Sequence, residues 1–293
     1  MLWVVLILVS AVTLGLYDVC KKHAVHANAV MPVLFLGTTT GTIAVVLAQA
    51  ATGRLGPALA VDAATWGLLA LKSALVTTSW VCAYYAMRTL PISIAAPIRG
   101  SQPVWTLAGA LVVFAERPVG WQWAGIGTTF VGYYLFSVLG KREGIHFRTN
   151  RGVWLIVLAT ILGAASGLYD KYLLQPRRLT PETVQAWFQI DLSVLIGALW
   201  LGQRRAGLSR TAFAWRWSIP AVGLLLVVSD YLYFSALARP GVMISILSPI
   251  RRSNCVVSFL VGGALFRDRN RRAKAWALGA IVLGVVLLCL SGR

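Results

Sequence analysis

Apolar residues occur along the chain in ten long stretches separated by short polar breaks. Each stretch runs for roughly 18 to 25 residues, the length that an α-helix needs to cross about 30 Å of hydrocarbon. The predicted spans are 2–20, 30–52, 65–87, 91–114, 119–139, 152–174, 184–202, 217–238, 242–265 and 274–291. The pattern predicts an all-α integral membrane protein with ten transmembrane helices.

Polar sequence words recur at a constant offset of 152 residues. Gly15–Asp18 recurs unchanged as Gly167–Asp170, and the word at 97–102 recurs in related form at 249–254. Short apolar words recur by chance in any membrane protein, whereas polar words at one shared offset do not. The chain is therefore predicted to contain a duplication.

The duplication divides the chain into a first five-helix repeat at 1–140 and a second at 152–291. Because five is an odd number, the second repeat enters the membrane from the opposite side. Inverted repeats of this kind are typical of secondary carriers, whose binding site lies near the bilayer midplane between the halves. The alternative is a duplicated membrane scaffold without transport activity.

Composition agrees with a membrane protein, since 58% of residues are hydrophobic and only 12% are charged. The formal net charge of +18 does not indicate nucleic-acid binding, because the basic residues lie in the short gaps between apolar stretches. No zinc-protease motif, nucleophile elbow or Walker motif is present, and the spacing of the four cysteines does not fit a zinc site. We therefore expect no enzyme activity, cofactor or metal.

Charged residues inside the predicted spans are candidates for function. Each costs roughly 2.5–3.5 kcal/mol at a helix centre, so it should face a cavity or a partner of opposite charge. The predicted interior charges are Asp18, Lys72, Arg99, Asp170, Lys171, Asp191, Asp230, Arg251 and Arg252. Of these, the predicted coupling or gating residues are Asp18, Asp170, Asp191, Asp230 and Lys72.

Arg99 and Arg251 occupy equivalent positions of the two repeats. Arg99 shares a helix face with Gln102 and Thr106, and Arg251 shares one with Asn254. The planar guanidinium group suits a carboxylate or a phosphate, so these two faces predict an anionic solute. The predicted substrate-binding residues are Arg99, Arg251, Arg252, Gln102, Asn254, Ser101, Ser253, Tyr17, Tyr169, Trp80 and Trp187.

A second interpretation of the interior charges remains open. The arginines could neutralise the aspartates in buried ion pairs that only hold the halves together, and the aspartates could form salt bridges or carry a coupling proton. Glu116 and Asp268 lie at span ends and are predicted to be cap or gate residues. Lys21 and Lys22 are predicted to mark the end of the first span.

The chain resembles the drug/metabolite transporter superfamily, and in particular its EamA-type bacterial members. The resemblance rests on ten spans in two halves, an aromatic-containing first span, and a fourth span from Pro91 through Pro103 to Glu116 and Arg117. It covers the whole chain and is most specific at 84–117 and 233–269. It implies a carrier or exporter of small metabolites with a central cavity lined by both halves.

Plastid phosphate translocators of that superfamily place basic residues on their fourth and ninth spans to hold a phosphate. Arg99, Arg251 and Arg252 lie in the corresponding spans, so the resemblance implies a phosphorylated or carboxylated solute. This chain has Arg where Lys is common in those relatives, which leaves the identity of the solute open.

These expectations together describe a secondary transporter of a small anionic metabolite that works by alternating access in the inner (plasma) membrane. Its partners would be the solute, the lipid bilayer, and protons or a counter-substrate. The alternatives are an exporter of amino acids or cationic compounds, a flippase for a phosphate-bearing lipid carrier and, outside transport, a membrane enzyme or scaffold.

The orientation of the chain is open at this point. The face that bears both termini carries six Lys and Arg residues, and the opposite face carries sixteen. The positive-inside rule therefore places both termini outside the cytoplasm. The family resemblance implies the reverse, and a reporter fused to the C-terminus distinguishes the two.

Overall fold

The computed structural model describes residues 2–90, 98–138, 150–207, 212–266 and 271–291, and all the regular secondary structure in these ranges is helical. The helices are α1 (Leu2–Val25), α2 (Val30–Ala51), α3 (Leu55–Leu59), α4 (Ala63–Thr89), α5 (Gln102–Val113), α6 (Gly120–Val138), α7 (Arg151–Leu174), α8 (Pro181–Arg205), α9 (Ser218–Leu237), α10 (Ile244–Arg252), α11 (Asn254–Phe266) and α12 (Arg271–Ser291).

Seven helical stretches in the described part of the chain are long and apolar enough to cross a membrane. They lie in α1, α2, α4, α7, α8, α9 and the run formed by α10 and α11, and α12 contains a shorter apolar stretch, Trp276–Leu290. The predicted all-α, multi-pass class is thereby confirmed, whereas the number of ten spans stays a prediction. Part of the predicted fourth span, 91–97, lies outside the described residues.

One predicted boundary is wrong. Helix α1 continues to Val25, so Lys21 and Lys22 lie within the helix instead of marking its end. A charged residue can extend an apolar helix in this way where its side chain lies on an aromatic surface or reaches an aqueous cavity.

Short polar side chains fix the start of several helices. The Asn150 carboxamide accepts a hydrogen bond from Gly152 N at 2.8 Å, at the start of α7. The exposed Asp62 carboxylate accepts one from Thr65 N at 3.3 Å at the start of α4, and hydrogen bonds from Thr65 lower the pKa of the Asp62 carboxyl. These side chains satisfy backbone N–H groups that have no partner within the helix.

The most extensive helix contacts join the two predicted halves. Helix α1 packs on α9 and α4 packs on α7, while α6 packs on α12 and α2 lies against both α8 and α9. Small residues allow the closest of these approaches: Gly37 and Gly41 of α2 face Gly223 of α9. Glycine at such crossings lets two backbones come into contact.

Substituting Gly223 by Ala should lower stability by about 1–3 kcal/mol, the usual effect of overpacking. The added Cβ would collide with the Gly37 carbonyl oxygen and lie 2.9 Å from Gly41 N. Thermal denaturation in detergent measures this effect. Gly67→Ala in α4 is the matched control, because nothing lies within 4 Å of its Cβ position. Equal denaturation temperatures for the two variants would contradict the close crossing.

Candidate functional site

A cavity of about 240 Å³ lies between helices of the two halves. Helices α1, α4, α7, α8, α9 and α10 contribute to its wall, together with the N-terminal part of α11 and the fourth predicted span. Its charged lining residues are Lys21, Lys72, Arg99, Arg251, Arg252, Asp18, Asp170 and Asp230. Seven of these eight are among the residues that the sequence predicts for the site.

Lys72 and Asp170 form a buried ion pair that joins α4 to α7. The Lys72 side chain is only 2% exposed. Its ammonium group lies 4.1 Å from the centre of the Phe188 ring and 4.6 Å from that of Phe234. The carboxylate and the two ring faces replace the water that the ammonium group loses on burial.

Arg251 and Asp230 form a second ion pair, between α10 and α9. The Arg251 guanidinium carbon lies 3.8 Å from the centre of the Tyr233 ring. Arg251 is therefore neutralised by a carboxylate and held on an aromatic face. This arrangement matches the interpretation in which an arginine compensates a buried aspartate.

Arg99 and Arg252 are held differently. Among the residues that the structure describes, neither forms an ion pair within 4.0 Å of a carboxylate. Arg252 Nη2 donates a hydrogen bond to Gln102 Oε1, and Arg99 Nη1 is buried without a hydrogen-bond partner. Two guanidinium groups of the cavity are therefore not neutralised by a close ion pair with a described carboxylate.

Asp18 lies beside these arginines. Its carboxylate accepts a hydrogen bond from Asn254 Nδ2 at 2.6 Å, and it interacts electrostatically with Lys21, Arg252 and Arg99. One carboxylate thus faces three cations. The local balance of charge is positive and favours an anion.

Lys21 belongs to the cavity although the sequence analysis placed it at a span end. Its ammonium group lies 5.3 Å from the centre of the Tyr17 ring and 5.5 Å from that of Trp80. The signal that could have found it is helical spacing, since Lys21 follows Tyr17 by four residues and Asp18 by three. Tyr17 and Trp80, two of the predicted substrate-binding residues, line the cavity.

Five of the predicted site residues are outside the described lining of the cavity: Ser101, Ser253, Tyr169, Trp187 and Asp191. Ser253 Oγ donates to Ile250 O at 2.7 Å at the break between α10 and α11, and Ser101 Oγ donates to Ile98 O at the same distance just before α5. The two serines therefore satisfy carbonyl groups at equivalent helix breaks.

The other three residues pack between helices. Tyr169 OH and Trp187 Nε1 are buried without a hydrogen-bond partner in the described structure. The Ser73 hydroxyl donates to Asp191 Oδ2 at a long distance of 3.4 Å.

Glu116 is a buried carboxylate outside the cavity lining. It accepts hydrogen bonds from Ile244 N at 2.8 Å and Ser245 N at 3.0 Å, which are the first N–H groups of α10. Lys171 Nζ donates to it at 2.5 Å, and the Ser245 hydroxyl donates as well. Of the two predicted roles, cap or gate, these hydrogen bonds show Glu116 as a cap of α10, whereas Asp268 lies outside the described residues.

The backbone before Glu116 explains how the side chain reaches α10. Ala115 adopts φ = 50°, a left-handed conformation that is uncommon for a residue with a Cβ. The turn ends α5 and directs the Glu116 side chain into the protein. Its hydrogen bonds to α10 and to Lys171 offset the backbone strain.

Comparison with known proteins agrees with this architecture. Residues 1–138 match the EamA-like transporter family. A solved structure titled "Crystal structure of protein" is 16% identical to this chain, with a TM-score of 0.77 over 99% of this chain and 96% of that one. At this identity the similarity establishes the fold alone. A search of curated protein sequences finds no match.

The apolar helices define a multi-pass membrane protein, and the match over residues 1–138 is to a family of membrane transporters. The matched segment is a little under half of the chain, and the match agrees with the resemblance to EamA-type members of the drug/metabolite transporter superfamily that the sequence indicates. Members of the EamA family are transporters and not enzymes, which agrees with the expectation of no enzyme activity.

Proposed function

We propose that this chain is a secondary transporter that binds a small anionic solute in the central cavity and moves it across the membrane by alternating access. The observation that carries the proposal is the pair Arg99 and Arg252. Both guanidinium groups line the cavity, and neither is compensated by an ion pair with a described carboxylate.

Charge in the cavity supports an anion. The ion pairs of Lys72 with Asp170 and of Arg251 with Asp230 are each neutral as a unit. The remaining charged lining residues are one carboxylate, Asp18, and three cations. In a site of low dielectric this excess positive charge attracts a carboxylate or a phosphate more strongly than it would in water.

The contacts between helices support two inverted repeats, 1–140 and 152–291, as the mechanical basis of transport. The contact between α1 and α9 has its counterpart at the 152-residue offset in that between α7 and α4. The hydrogen bonds of Ser101 and Ser253 also correspond at that offset. Two halves that contact each other reciprocally have two equivalent ways to open, one toward each side of the membrane.

Export of an amino acid or a cationic compound is the second candidate. The observation in its favour is Asp18, which lines the cavity beside Trp80 and forms no ion pair within 4.0 Å of a described cation. A cationic group could bind between this carboxylate and the aromatic ring. The excess of cations in the cavity favours the anion.

Replacing Arg99 or Arg252 by Gln should weaken anion binding about 10- to 100-fold, because each substitution removes a charge-assisted hydrogen bond from the cavity. Purified protein is screened for thermal stabilisation by phosphorylated, carboxylated and cationic solutes, and exchange of each stabilising solute is then measured in proteoliposomes.

Arg54→Gln is the control, since Arg54 forms an exposed pair with Glu182 away from the cavity. Binding and exchange of an anion at wild-type levels by both cavity variants would overturn the proposal. Stabilisation by cationic solutes alone would replace it with the second candidate.

A further inference from the structure

Two residues that line the cavity each have one buried polar atom without a hydrogen-bond partner among the described residues, and the two atoms differ in chemistry. Arg99 Nη1 is a donor and Asn254 Oδ1 is an acceptor. Asn254 is only 4% exposed, so bulk water does not satisfy its oxygen. A buried polar atom without a partner destabilises a protein, and such atoms are rare in folded proteins unless a ligand or an ordered water occupies the site.

The orientation of the Asn254 carboxamide follows from its neighbour. Asn254 Nδ2 donates to Asp18 Oδ2 at 2.6 Å. An ionised carboxylate only accepts hydrogen bonds, so the amide must present its NH2 group to Asp18 and its oxygen elsewhere. Asp18 therefore acts as a positioning residue that holds the Asn254 oxygen as an acceptor.

The equivalent residue of the first repeat has no such free atom. Gln102 corresponds to Asn254 at the 152-residue offset, and Gln102 Oε1 already accepts the hydrogen bond from Arg252 Nη2. Of these two equivalent positions, only Asn254 has a side-chain oxygen that accepts no hydrogen bond from a described residue.

We propose that the transported anion carries a hydroxyl group in addition to its anionic group, and that Asn254 is the residue that recognises this hydroxyl. This inference rests on the proposed anion transport. An anionic oxygen of the solute would accept from Arg99 Nη1, and the hydroxyl would donate to Asn254 Oδ1. The two unpartnered atoms are thereby satisfied by one solute.

A hydroxyl fits this position better than an ammonium group. The Asp18 carboxylate interacts electrostatically with three cations, Arg99, Arg252 and Lys21. A positive charge on the solute would be repelled by these cations, whereas a neutral donor adds no charge. The cavity volume of about 240 Å³ limits the solute to a short chain. The class is a small hydroxylated carboxylate or phosphate monoester.

Pairs of anions that differ by one hydroxyl test the inference. Affinities of the full-length protein are measured for malate against succinate and for glycerol 3-phosphate against n-propyl phosphate. The wild type should prefer the hydroxylated member of a pair by about tenfold, the ratio expected for one hydrogen bond in a buried site. Aspartate is included to distinguish an ammonium donor from a hydroxyl.

Three variants assign the preference to its residues. Asn254→Ala should remove the preference and leave the affinity for the deoxy anion within a few-fold of wild type. Asp18→Asn should also reduce the preference, because the introduced amide can donate or accept and no longer fixes Asn254. It should also strengthen binding of both anions by removing a negative charge. Thr160→Val, a buried change away from the cavity, should alter neither quantity.

The outcomes separate this inference from the proposed function. Equal affinities of the wild type for hydroxylated and deoxy anions would overturn the hydroxyl site and leave anion transport in place. A preference for aspartate over malate would overturn it in favour of an ammonium donor. Loss of the preference in Asn254→Ala but not in Thr160→Val would confirm it. Failure of every anion to bind would overturn the proposed function as well.

Discussion

Substituting Lys171 by Met is expected to destabilise the protein by about 3–5 kcal/mol, the usual effect of removing one partner of a buried ion pair. The Glu116 carboxylate would remain in the interior with its charge uncompensated, since the Glu116 and Lys171 side chains are only 3% and 9% exposed. The apparent denaturation temperature in detergent should fall accordingly.

The geometry explains why this single contact has a large effect. Glu116 connects three parts of the chain: the turn after α5, Lys171 near the end of α7, and the first turn of α10. Lys171 Nζ also lies 5.1 Å from the centre of the Phe114 ring and 3.4 Å from Val242 O. Loss of the lysine therefore weakens the attachment of α10, which carries Arg251 and Arg252 into the cavity.

Two further variants separate burial of charge from loss of a contact. Arg54→Gln breaks the pair with Glu182, in which the arginine is 60% exposed, and should change the stability by less than about 1 kcal/mol. Glu116→Gln, combined with Lys171→Met, removes both charges and should recover most of the loss. A Lys171→Met protein as stable as Arg54→Gln would contradict the importance of the buried pair.

The chemistry of the site could be predicted from the sequence because interior charges are costly in a membrane. This cost identifies Asp18, Lys72, Arg99 and Arg251 without any knowledge of the fold, and all four line the cavity. The repeat adds that Arg99 and Arg251 belong to equivalent helices. Except for Lys21, the charged residues that line the cavity were therefore visible in the pattern of the chain.

The pairing of those charges could not be predicted. The repeat predicts the same role for two equivalent residues, but the partners of the two residues differ. Arg251 is neutralised by Asp230, but the position equivalent to Asp230 is Thr78, which carries no charge for Arg99. Lys72 pairs with Asp170, and the position equivalent to Lys72 is Leu224. Single differences between the repeats thus determine that Arg251 has an ion pair and that Arg99 has none with a described residue.

The predictions for aromatic site residues were incomplete for a different reason. Tyr17 and Tyr169 are equivalent in the repeat, yet Tyr17 lines the cavity and Tyr169 packs against Tyr172 with ring centres 5.7 Å apart. Trp187 is likewise outside the described lining, whereas Phe188, the next residue, is part of it. The rotation of a helix about its axis decides such cases, and near-uniform apolarity around a transmembrane helix hides that rotation from the sequence.

Replacing Lys72 by Met should destabilise the protein by about 3–5 kcal/mol, because Asp170 would be left charged and unpaired between α4 and α7. The double variant Lys72→Met, Asp170→Leu should recover stability to within about 1 kcal/mol of wild type, since apolar residues of similar volume can replace a buried ion pair. Denaturation temperatures of the two single variants and the double variant complete the cycle.

The same double variant decides between a structural and a coupling role for this pair. Removing one positive and one negative charge leaves the net charge of the cavity unchanged, so anion affinity should stay near the wild-type value. If the pair only holds α4 against α7, exchange in proteoliposomes should keep the pH dependence of the wild type. We expect this result, because Lys72 is enclosed by Phe188 and Phe234 and is shielded from an exchanging proton. Recovered stability with a lost pH dependence would instead assign the coupling proton to Asp170.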